Sequence, residues 1–130
     1  MDEIRIRIHH DRALQLANAM KLCHDDMAAY GSAVALLAVH SAISYNDAVL
    51  IRLTGQRSRS QDHRLAIIAI RKACKKKRNI QTEAIKHLDK LVGAKNDVAY
   101  GDEEVDSQKI EFLYVAAERF QAWAERLLKS

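Results

Sequence analysis

Two short stretches of this chain gather side chains of the kinds that hold phosphate or move protons. The first is Lys95-Asn96-Asp97-Val98-Ala99-Tyr100-Gly101, a cation, an amide and a phenol at the end of an apolar helical pattern. Lys95 lies one helical step past Leu91 and Val92 and prolongs their apolar stripe, while Asn96 and Tyr100 are i,i+4 neighbours on an adjoining face. Converging at a helix end, these three groups could bind a phosphate. They suit a plainer role equally well, with Lys95 snorkelling past the stripe and Tyr100 packing its ring. The second stretch runs from His40 to Asp47. Helical spacing puts His40, Ser44 and Asp47 on one face and Ser41 and Tyr45 on another. Polar groups in a helix this apolar need partners, since a buried unsatisfied one costs about 1–3 kcal/mol. Either they form a hydrogen-bonded core patch, or they line a polar pocket or a dimer seam.

A third candidate is the basic run Arg71-Lys72, Lys75-Lys76-Lys77-Arg78. Such runs are usually solvated faces. A binding run would touch phosphate without reading sequence, and salt would weaken it steeply. The histidines His9-His10, His24, His63 and His87 show no metal-ligand spacing, so neither metal nor cofactor is expected. Cys23 and Cys74 are far apart and form no CxxC pair, which suits two small buried hydrophobes in a reducing compartment. Trp123 falls off the apolar stripe of the last helix, where it would cover the bundle edge or mark an oligomer interface.

The elements that position these groups follow from composition and periodicity. At 130 residues the chain is the size of one domain, and 48% hydrophobic with 29% charged residues is the balance of an ordered globular protein. The net charge of +4 permits contact with nucleic acid without requiring it. The most apolar stretch, Ala33 to Val39, is broken by His40 and Ser41, well short of the roughly 20 residues of a membrane span. With no apolar segment after Met1 to act as a secretory signal, the expected location is the cytoplasm, away from membranes. Pro is absent and Gly numbers 4, which removes the turn chemistry of β architectures. Ile4, Ile6 and Ile8 alternate with charges and read as an extended arm or a frayed helix start. Helical spacing begins near Asp11 with Leu14, Ala17 and Leu22, and Tyr30-Gly31 ends that helix. A second helix runs from an N-cap at Ser32 to Thr54, with Gly55 as its stop. The third begins near Ser60 with Leu65, Ile68, Ala69 and Ala73 on one stripe. Ile80, Ala84, Leu88, Leu91 and Val92 mark the fourth, which Gly101 ends. The acidic run Asp102 to Asp106 suits the N-terminus of a last helix, Ser107 to Lys129, whose core stripe is Ile110, Leu113, Ala117, Phe120, Ala124 and Leu127. The expectation is one all-α domain over residues 1–130, an antiparallel bundle of four to five helices.

With two long helices carrying polar residues and a short basic motif before the last helix, the chain resembles the HEPN superfamily from its first helix to its last. That family is an all-α bundle, often dimeric, found in prokaryotic toxin–antitoxin, abortive-infection and CRISPR-linked ribonucleases. Its signature, Arg-Asn-x-x-x-His, corresponds here to Lys95-Asn96-Asp97-Val98-Ala99-Tyr100, with spacing and asparagine kept and both ends changed. The segment Ser41 to Ala48 also resembles the family's second helix. The changes matter chemically. Lysine brings a point charge to phosphate but no bidentate fork, and a phenol, with an ordinary pKa of about 10, shuttles protons poorly at neutral pH. The resemblance therefore implies a nucleic-acid- or partner-binding module without efficient catalysis, gripping RNA through Lys95, Asn96 and the basic run. The alternatives are a metal-independent endoribonuclease using Lys95 and Tyr100, and a structural interaction domain. Expected partners are RNA, a nucleotidyltransferase-type antitoxin, and a second copy joined around the second and fourth helices, because family active sites lie at dimer seams.

Overall fold

Small residues decide how this chain packs. A computed structural model describes residues 2–57, 63–77 and 79–129, which form α1 (Asp2–His24), α2 (Met27–Thr54), α3 (His63–Lys75), α4 (Ile85–Tyr100) and α5 (Ser107–Lys129). Among the described residues there is no strand. Ala35, Ala38, Ala42 and Ala48 of α2 and Ala116, Ala117 and Ala124 of α5 are all buried, and α2 lies at the centre, packed against each of the other four described helices. Gly31 faces Ile110, where a Cβ would stand 3.1 Å from the isoleucine Cδ1, and Arg52 donates to the Leu128 carbonyl at 3.1 Å. Both anchors pair early with early and late with late, so α2 and α5 run parallel. Sequence alone suggests a bundle antiparallel throughout; only the flanking helices are antiparallel to this pair. His10 meets Glu125 and His24 meets Glu111, which sets α1 against α5. At the other flank Trp123 Nε1 donates to the Gln81 carbonyl at 2.6 Å, leading α4 back alongside α5.

Helix ends follow local chemistry. Asp26 accepts the Ala29 N–H at 3.2 Å as the cap of α2, so that helix starts five residues before Ser32. The break expected at Tyr30-Gly31 survives as a kink inside α2, where Tyr30 leaves helical geometry (φ −126°, ψ 20°). Gly55 ends α2 at φ 79°, in the left-handed region that glycine enters without strain. Asp106 accepts the Lys109 N–H at 2.8 Å and starts α5 at Ser107.

Several expectations are corrected. The alternating N-terminal segment is helix, not arm: Ile6 is buried, while Ile4 and Ile8 are i,i+4 neighbours on its outer face. Leu22 is also exposed. On α3 the buried stripe is Ile67, Ile70, Ala73 and Cys74, and Leu65 and Ile68 face outward. The stretch before Ile85 is a turn rather than the first turn of α4. Trp123 is buried within the chain, 5.3 Å from the Phe120 ring centroid, and not at an edge. The expected α3 start near Ser60 and the cation Arg78 lie outside the described residues. By length and hydropathy α2 qualifies as a membrane span, yet it is the bundle's core helix and mostly covered by its neighbours.

Candidate functional site

One strip of α2 stays partly open to solvent, and positive charge from several elements faces it. His40 and Asp47 are half-buried, Thr54 is exposed, and each lies seven residues from the next. Seven residues bring a helix back to nearly the same direction about 10 Å further along. Lys95 of α4 stands beside His40 and, after burial, is the second cause lowering its imidazole pKa. Arg57, just past the end of α2, reaches back to 4.0 Å from Asp47, and Arg12 of α1 faces the same carboxylate. His9 lies by Arg57, Arg12 and Arg5, and burial together with those guanidiniums lowers its pKa, so both imidazoles stay neutral at pH 7.

Burial pushes the Asp47 carboxyl up to about 6, against the pull of Arg57 and Arg12. A carboxylate whose folded pKa is raised opposes folding when it ionises, so its effect grows as pH rises from about 4 to about 6. Asp47→Asn is therefore expected to be more stable than wild type at pH 8, by about 2 kcal/mol after allowing for solvent at its exposed edge. Urea unfolding of both proteins at pH 4 and pH 8 checks this. An unchanged difference between the two pH values would refute it.

Of the sequence candidates on α2, Ser44 and Ser41 are buried, and the Ser41 hydroxyl donates to the Ala38 carbonyl at 3.1 Å. Ser41 thus satisfies itself on its own helix and lies off the strip. Neither serine is open to a second protomer.

The motif at the end of α4 divides in two. Lys95 turns to the α2 strip, whereas Asn96 and Tyr100 are exposed, Tyr100 by 79%. Five residues apart on a helix, Lys95 and Tyr100 point about 140° from each other. They do not converge within one chain. Beside them opens a groove of about 840 Å³ whose charged lining is Asp89, Asp97, Asp102, Glu103, Glu104 and Asp106 against Lys90 and Lys109. Its excess of carboxylates repels phosphate on that flank.

The basic run takes the opposite character. Arg71, Lys72, Lys75, Lys76 and Lys77 are all exposed, and none has an ion-pair partner among the described residues. Lys72 and Lys76 turn towards the end of α2, where they and Arg57 rim a cleft of about 290 Å³ with Leu50, Ala69 and Ala73 at its base. Sequence reading missed Arg57 because it follows the helix stop, in a stretch that looks like an ordinary surface loop.

A second missed cluster lies deeper. Tyr45 donates to Glu125 Oε2 at 2.7 Å, His10 Nε2 lies 2.7 Å from the same oxygen, and Gln121 donates to the Tyr45 hydroxyl at 3.0 Å. Burial works to raise the Glu125 pKa, but the hydrogen bonds from His10 and Tyr45 outweigh it and hold the carboxyl below its ordinary value. Burial, and then the bond to Glu125, push the Tyr45 phenol upward. The network joins α1, α2 and α5 and keeps the open strip in place. Its sequence signal was the i,i+4 pair Gln121/Glu125 on the flank of the α5 core stripe.

Fold and site together define an all-α bundle, with five helices among the described residues and a cation-lined strip on the central one. No protein family and no curated protein matches the chain. Among the described residues no cluster of three or more potential metal ligands occurs.

Proposed function

We propose that this chain is an HEPN-like RNA-binding module that grips phosphates without cleaving them. The observation that carries the reading is the convergence of cations from separate elements on one strip of α2: Lys95 from α4, Arg12 from α1, Arg57 past the helix stop, Lys72 from α3 and Lys76 from the turn after it. Neutral imidazoles on the strip add polar contacts without excess charge. Binding is favoured over cutting because Lys95 and Tyr100, the residues at the signature's ends, face different ways. Contacts of this kind recognise backbone, so affinity should depend on salt far more than on base sequence.

Electrophoretic shift of a single-stranded RNA is expected with the wild type. Changing Lys75, Lys76 and Lys77 together to Gln should flatten the slope of log affinity against log salt by up to about 2, at roughly 0.7 per phosphate contact. In EDTA no cleavage is expected above a Lys95→Ala, Tyr100→Phe control. Cleavage that vanishes in that control would make the protein a ribonuclease, and no RNA shift at all would leave it a structural interaction domain.

A further inference from the structure

We infer that the cleft between the end of α2 and α3 is a phosphate seat, in which Arg57, Lys72 and Lys76 close around one phosphate group of a single-stranded RNA. This deepens the RNA-binding reading and rests on it for the source of the phosphate.

The seat is built rather than incidental. Arg57 follows a helix end that is pinned at several points. Gly55 holds its left-handed cap and donates to the Ile51 carbonyl at 2.8 Å. Arg5 of α1 donates to the Gly55 carbonyl at 2.8 Å. The Thr54 hydroxyl lies 2.8 Å from the Leu50 carbonyl and accepts the Gln56 N–H at 3.2 Å. The backbone that presents Arg57 is thereby ordered before any ligand arrives, which reduces the entropy lost on binding. Lys72 in the last turn of α3 and Lys76 just past the end of that helix line the same opening.

Charge makes the seat selective for an anion. Among the described residues its rim carries three cations and no carboxylate. Of the described acids near this helix end, Asp47 lies at the limit of ion-pair range from Arg57 and Asp2 lies beside Gly55, and both are outside the cleft lining. The Arg57 side chain is 47% exposed, so its guanidinium can swing from Asp47 to a phosphate and present its planar fork. Leu50, Ala69 and Ala73 give the cleft an apolar base against which a ribose or base edge can rest. At about 290 Å³ the space is at the lower end for a ligand pocket, which suits one nucleotide unit and not a folded RNA element.

The test measures fluorescence anisotropy of a labelled oligouridylate of about ten nucleotides, a length suited to single-strand sites. Wild type, Arg57→Gln and Lys21→Gln are compared at one low salt concentration, Lys21 being an exposed cation of α1 away from the strip. The seat predicts that Arg57→Gln weakens binding by about tenfold or more, as loss of a forked phosphate contact should, and Lys21→Gln by less than about twofold. Asp47→Asn should tighten it. Inorganic pyrophosphate is titrated separately into isotope-labelled protein, and should shift the amides of Gly55, Gln56 and Lys72 in wild type but not in Arg57→Gln. If Arg57→Gln matches Lys21→Gln while RNA still binds, the seat is overturned and the RNA-binding reading stands. If RNA does not bind but pyrophosphate shifts those amides through Arg57, the RNA reading falls and the seat belongs to a free phosphate compound. Failure of both titrations removes both.

Discussion

Trp123→Ala should lower the unfolding free energy by about 3–5 kcal/mol, a large share of the stability of a domain this size. The indole is only 4% exposed, packs on Phe120, and bonds through Nε1 to the Gln81 carbonyl ahead of α4. Truncation opens a cavity beside Phe120 and leaves the Gln81 carbonyl without its donor, so α4 loses the anchor that leads it back along α5. Trp123→Phe keeps most of the packing and removes only the hydrogen bond, and should cost about 1–3 kcal/mol. Equilibrium urea unfolding of the three proteins gives the comparison. A loss below about 1 kcal/mol in Trp123→Ala would mean the indole lies at an edge, where surface changes cost little.

The second large effect concerns the carboxylate that joins three helices. Glu125→Ala should destabilise by about 2–3 kcal/mol, because the Tyr45 hydroxyl, on a side chain 1% exposed, loses the acceptor for its proton. Glu125→Gln retains an acceptor oxygen at that place and should lose less. The sign of the pH effect is opposite to that of Asp47. With its folded pKa depressed, Glu125 contributes stability that is present above pH 4.5 and lost as the pH falls below that value. The wild type should therefore lose stability on acidification below pH 4.5 more steeply than Glu125→Gln. Parallel curves for the two proteins would show that the hydrogen bonds with His10 and Tyr45 give the carboxylate no preference for its charged form.

These networks show why some of the site was legible in the sequence and some was not. The polar residues of α2 stood out against an apolar helix, and two of them, His40 and Asp47, do lie on the open strip. The basic run of α3 was visible as charge density. Arg57 and Glu125 were not, since each is an ordinary charged residue whose importance comes from neighbours 10 to 115 positions away. Lys95 and Tyr100 read along the sequence as one constellation, but helical geometry turns Lys95 to His40 and leaves Tyr100 exposed on another face.

Local chemistry in the sequence determined the all-α class, the stop of α2 at Gly55 and the full span of α5. A glycine free to take φ 79° and an aspartate at position 106 act on their immediate neighbours, so no distant contact was needed to read them. The same local rules leave the N-terminal isoleucines open between an extended arm and a helix start, because three residues at period two are too few to separate the one shared face of a strand from the split faces of a helix. Tertiary packing decided that Ile6 would face inward, that Trp123 would be buried, and that α2 and α5 would run parallel. It also decided which cations face one another across the strip. Those outcomes depend on close approach between helices distant in sequence, such as Gly31 against Ile110, which periodicity along a single helix does not encode.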